Sequence, residues 1–100
     1  MNILVDEKSN PVKITISGAF DAIGNRDARE AFNALLEKGH DNFLIDFTDV
    51  DFIDSSGLGT LVGFFKKIRI GNGSLELVGL REEIMKIFQL TKLDTVFTIR

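Results

Sequence analysis

An aspartate, two serines and a glycine stand in succession at Asp54-Ser55-Ser56-Gly57, within the stretch from Asp51 to Leu61. An apolar, strand-like run ends just before them, and a helical pattern begins among them. A serine at such a junction has two uses. Its oxygen can cap the free N–H groups of the helix start. Its hydroxyl also stands where the partial positive charge of a helix terminus favours an anion, a phosphate included. One serine suffices as a cap, and here there are two. Ser55 is therefore read as a candidate phosphoacceptor, with Ser56 as the second candidate. The competing use is a helix cap alone.

Other residues qualify the site. Asp21 and Asp54 each close a strand; if those strands are neighbours, both carboxylates share one rim with Ser55. Each aspartate could equally cap its own turn. Gly59 and Gly63 fall inside the predicted helix, where a glycine costs about 1 kcal/mol relative to alanine. The helical wheel places them opposite the apolar stripe, near Lys66 and Lys67. A close-approaching partner would account for them; so would a tolerant surface or packing against a neighbouring helix. Phe64 and Phe65 read as core and core-edge residues. Asp46, Asp49, Asp51 and Asp54 read as a solvated rim.

Catalysis finds little support. The nucleophile-elbow pattern Gly-x-Ser-x-Gly is absent, and His40, the lone histidine, lies in a polar loop as a solvated residue. Gly57-Leu58-Gly59 lacks the third glycine of a dinucleotide fingerprint and the lysine of a phosphate-binding loop. No metal-ligand spacing occurs. No catalytic residue, cofactor or metal is expected; a small hydrolase using Ser55 and a paired-carboxylate hydrolase are the weakest readings.

Composition sets the frame. One hundred residues with 44% hydrophobic and 27% charged content fit one globular domain with one core. The net charge of -3 argues against nucleic acid as the main partner. Cysteine is absent, which excludes disulfides and thiolate metal sites and suits a reducing compartment. No signal-peptide pattern and no membrane-length apolar run are present, so the chain reads as cytoplasmic.

The elements follow from periodicity. Asn2 to Asp6 predicts an edge strand, hairpin-paired with an alternating strand over Val12–Ser17 that Gly18-Ala19-Phe20-Asp21 closes. Ala28, Ala31, Phe32, Leu35 and Leu36 predict a helix over Asn25–Lys38, with a left-handed cap at Gly39. Phe43–Phe47 predicts a central strand. A second helix runs from Ser56 to about Ile70, its stripe formed by Leu58, Leu61, Phe65 and Ile68 and widened by Val62 and Phe64. A strand over Leu75–Val78, a helix over Glu82–Leu90 with Ile84, Ile87 and Phe88 inward, and a strand over Thr95–Ile99 complete the order β-β-α-β-α-β-α-β. This is an α/β fold with a partly parallel sheet.

The segment Phe52-Ile53-Asp54-Ser55-Ser56-Gly57-Leu58-Gly59, entered from a Leu-Ile-Asp-Phe strand, resembles the centre of STAS domains, and more narrowly the bacterial anti-sigma factor antagonists. Supporting stretches are Gly18–Asp21, the Gly71–Gly73 turn and Ile-Phe-x-Leu-Thr-x-Leu at 87–93, so the resemblance spans essentially the whole chain. It implies a mixed sheet of four to five strands with helices mainly on one face. It also implies a partner switch: the unphosphorylated form binds a serine kinase that doubles as an anti-sigma factor, phosphorylation of Ser55 releases it, and a serine phosphatase resets the cycle. The implied partner surface takes in Asp21, Asp54, Ser55, Ser56, Gly57, Leu58, Gly59, Gly63 and Lys66. The alternative within the family is a non-phosphorylated scaffold subunit of a signalling or transport assembly.

Overall fold

The computed structural model describes residues 1–100. Strands β1 (Asn2–Asp6), β2 (Val12–Phe20), β3 (Asn42–Ile53), β4 (Ser74–Val78) and β5 (Thr98–Ile99) alternate with helices α1 (Asn25–Glu37), α2 (Ser55–Ile70) and α3 (Glu82–Leu90), in the expected order. They form one sheet in which the strands lie side by side in chain order. β1 runs antiparallel to β2, and the remaining neighbours are parallel.

Strand alternation sorts the two faces. Val12, Ile14, Ile16 and Phe20 of β2, Phe43, Ile45 and Phe47 of β3, and Leu75 and Leu77 of β4 are buried, and the helices cover them. Lys13, Thr15, Leu44, Asp46 and Glu76 occupy the other face and keep solvent access. Aromatic rings bind the layers together. Phe32 of α1 stacks on Phe64 of α2 with ring centroids 4.1 Å apart, and Phe64 meets Phe43 edge-on at 4.9 Å. Phe88 of α3 contacts Phe47 and Phe97. Such pairs add about 0.5–1.5 kcal/mol beyond area burial.

Three boundaries differ from the periodicity. β2 continues to Phe20, and β3 runs to Ile53 rather than ending at Phe47. The β2–β3 register slips between Thr15 and Ser17 and again between Gly18 and Ala19. Each slip places one extra residue on β3, a bulge that breaks strict alternation. Beyond Phe47 the buried positions of β3 become Val50 and Ile53, three residues apart, which a period of two cannot show. At the C-terminus, Leu93–Thr95 is a short 3₁₀ turn, so the last strand is only Thr98–Ile99. In α2, Phe64 is a core residue and Phe65 a half-buried edge, while Thr60 joins the buried face unforeseen. The cap at Gly39 is left-handed as expected, with φ +89.

Candidate functional site

The bulges bring two strand ends level. Phe20 pairs with Ile53, so β2 and β3 finish at the same edge of the sheet, and α1 and α2 both start there. Asp54 follows β3 in extended conformation and caps α2: its Oδ1 accepts from the Gly57 amide at 3.0 Å. Its Oδ2 accepts from the Ala22 amide at 3.2 Å, which ties the β2–α1 loop to the helix start. Asp21 accepts from the Ile23 and Gly24 amides at 3.1 and 2.8 Å. The two aspartates thus share one rim, and each also holds a turn.

The cap therefore belongs to Asp54 and not to a serine. Ser55 and Ser56 are the first two residues of α2. Ser55 is exposed and its hydroxyl makes no hydrogen bond within the chain; Ser56 is half-buried. Gly57 explains how the helix can start so close to the sheet. A Cβ at that position would lie 2.1 Å from the Phe20 carbonyl oxygen. Only glycine permits that approach.

Beside the rim, α1 and α2 enclose an open groove of about 340 Å³. Asn25, Arg29, Phe32 and Asn33 line it from α1; Ser55, Ser56, Gly59, Thr60, Gly63, Phe64 and Lys67 line it from α2. A Cβ on Gly59 or Gly63 would meet nothing within 4 Å, so neither glycine is required by packing against α1. They keep the groove open. Lys66 lies off this groove, and Lys67 takes that place, its Nζ donating to Asn33 Oδ1 at 3.0 Å. Leu58 turns inward against the core.

Residues that sequence reasoning missed lie around the same rim. Ile23 is 90% exposed in the β2–α1 loop, and Phe52 is 50% exposed near the end of β3. Asn25, Arg29 and Thr60 join the groove. The α1 positions 25, 29 and 33 share a four-residue spacing, the one signal that places them on a common face.

Two polar readings change. His40 is not simply solvated: its Nε2 lies 3.0 Å from Glu7 Oε1, and Lys38 Nζ donates to the same carboxylate at 3.1 Å. The hydrogen bond from Lys38, then that from His40, holds the Glu7 carboxyl below its ordinary pKa. In the acidic run, Asp49 and Asp51 are exposed. Asp46 instead accepts from the Thr48 hydroxyl and amide at 2.6 and 2.9 Å, which lowers its pKa. No three His, Cys, Asp or Glu side chains converge in a metal-binding arrangement. No helix is long and apolar enough to cross a membrane.

Comparison with known proteins converges on this site's fold. Residues 2–100 match the STAS domain family. The anti-sigma-B factor antagonist of Bacillus subtilis is 38% identical over 99% of this chain and 92% of its own. The anti-sigma factor antagonist SpoIIAA in its unphosphorylated form superposes with a TM-score of 0.79 at 19% identity, covering 99% of this chain and 87% of that one. The Bacillus SpoIIAA in its phosphorylated form gives 0.78 at 20% identity, covering 99% and 91%.

Proposed function

The chain belongs to the STAS domain family, and we propose that it acts there as an anti-sigma factor antagonist switched by phosphorylation of Ser55. The observation that carries this reading is the division of labour at the start of α2. Asp54 caps the helix, which leaves the exposed Ser55 hydroxyl without a structural duty. Ser56, half-buried one residue on, is the poorer acceptor.

In the unphosphorylated form, a serine kinase that is also an anti-sigma factor docks on the rim. Asp21, Asp54, Ser55, Ser56 and the open backbone at Gly59 and Gly63 supply the contact. Phosphorylation then proceeds within the complex. The Ser55 oxygen forms a bond to the γ-phosphorus of ATP, the bond to the β-phosphate oxygen breaks, ADP leaves, and the hydroxyl proton passes to a base of the kinase. The product adds about -1.5 to -2 charges and three acceptor oxygens. Within the domain, the helix terminus accommodates an anion. At a buried contact, beside Asp21 and Asp54, it opposes association. The fold itself need not change: the two SpoIIAA forms match this chain at 0.79 and 0.78. A serine phosphatase returns the starting state.

The test pairs phosphopeptide mapping of the protein from its own cells with identification of co-purifying proteins. Phosphate on Ser55, with a kinase recovered only alongside the unphosphorylated fraction, supports the switch. Equal binding of a kinase by both forms would sink it.

A further inference from the structure

We propose that Arg29 of α1 receives the phosphoryl group on Ser55 inside the groove between α1 and α2, so that the phosphorylated form holds its added charge against its own surface. This rests on Ser55 being the acceptor. Three observations support it.

The first is where the charge can go. On the rim side of Ser55 stand Asp21 and Asp54, whose carboxylates are already engaged by backbone amides. They repel a phosphate. On the other side lies the groove, to which Ser55, Ser56 and Arg29 all contribute. The second is the state of the groove's cations. Lys67 is held by Asn33. Arg26, on the neighbouring face of α1, is paired with Glu30. Arg29 has neither an ion pair nor a hydrogen bond within the chain, and a guanidinium is suited to forked binding of phosphate oxygens. The third is the polarity of the groove. α1 and α2 both begin at the same sheet edge, so two helix N-termini direct their positive ends at its head. Thr60, only 9% exposed, lines the floor of the groove as a polar residue. The missing side chains at Gly59 and Gly63 leave room for the group.

The arrangement gives the phosphate a role beyond repulsion. Bound to Arg29, it occupies the head of the same groove that is open in the unphosphorylated form. The partner then meets both an added charge and a filled recess.

The test uses full-length protein carrying phosphoserine installed at position 55 by genetic encoding, so that no kinase is needed. The pH titration of its ³¹P resonance is followed in the native chain, in Arg29→Ala and in Arg29→Lys, with Arg26→Ala as the control. Loss of one nearby cation is expected to raise the phosphoserine titration midpoint by about half a pH unit in Arg29→Ala. Arg29→Lys should keep most of the native value, and Arg26→Ala should match the native curve. Arg29 is exposed and alanine is the better helix former, so the variant is expected to fold. Superimposable curves for the native chain and Arg29→Ala would overturn the proposal, as would an equal shift in Arg26→Ala. Whether Ser55 is the acceptor in cells is decided separately by phosphopeptide mapping, which the ³¹P result does not depend on.

Discussion

At position 54 a single carboxylate has two jobs, and at position 55 a hydroxyl has none. Asp54 joins the α2 start to the β2–α1 loop through the Gly57 and Ala22 amides. Asp54→Ala should therefore cost about 1–2 kcal/mol in urea denaturation, in the upper range for a lost helix cap. Ser55→Ala should change stability by less than about 0.5 kcal/mol, while abolishing phosphate incorporation by the cognate kinase. If Ser55→Ala proved as costly as Asp54→Ala, the serine would be structural after all. The identity of the capping residue was not legible in the sequence, because Asp and Ser are nearly equal caps and three candidates stood in a row. The helix start itself was legible, since the apolar period changes there.

Among the elements, α2 carries three glycines with opposite physical meanings. Gly57→Ala drives a methyl group to within 2.1 Å of the Phe20 carbonyl, a contact that only a backbone shift relieves. The expected cost is about 2–4 kcal/mol by chemical denaturation, as for severe overpacking. Gly59→Ala and Gly63→Ala meet open space. Each should stabilise the helix by about 0.5–1 kcal/mol through reduced unfolded-state freedom, while weakening partner binding measured by calorimetry. Unchanged binding in both would remove the groove from the partner surface. Periodicity recovered α2 and its outward glycines because α2, at 16 residues, is long enough to show a helical period. It lost the far half of β3 because two bulges replace the alternation that identifies a strand, and it lost the β5 start because a two-residue strand has no period at all. The packing role of Gly57, which the sequence offered only as part of the partner surface, escaped for another reason: the Phe20 backbone it meets is distant in the chain and has no side-chain pattern to reveal it.

Across the whole molecule, one charged link ties the end of α1 farthest from the rim to the turn after β1. Glu7, after β1, links Lys38 and His40 just beyond the end of α1. Its pKa is lowered on folding, so its stabilising contribution is complete above the ordinary value of 4.5 and is lost as pH falls from there through the folded value. The stability difference between the native chain and Glu7→Gln should therefore be constant near neutrality and close below about pH 4.5. Thermal melts across pH would show this, and added salt should shrink the difference because the pair is at the surface. A difference that persisted at low pH would point to packing in place of charge. The fold class was readable from composition and element order alone. This long-range link was not, because no local pattern connects residue 7 to residue 40.

The order of the strands has a consequence for how the chain is made. Each strand lies beside the one preceding it in the chain, and no later strand inserts between two earlier ones. On a ribosome, synthesis proceeds from the N-terminus at about 5–20 residues per second. Every new strand finds its template already laid down, and nothing formed early has to be reopened. The rim is assembled from β2, β3 and the start of α2, all of which precede β4, α3 and β5 in the chain.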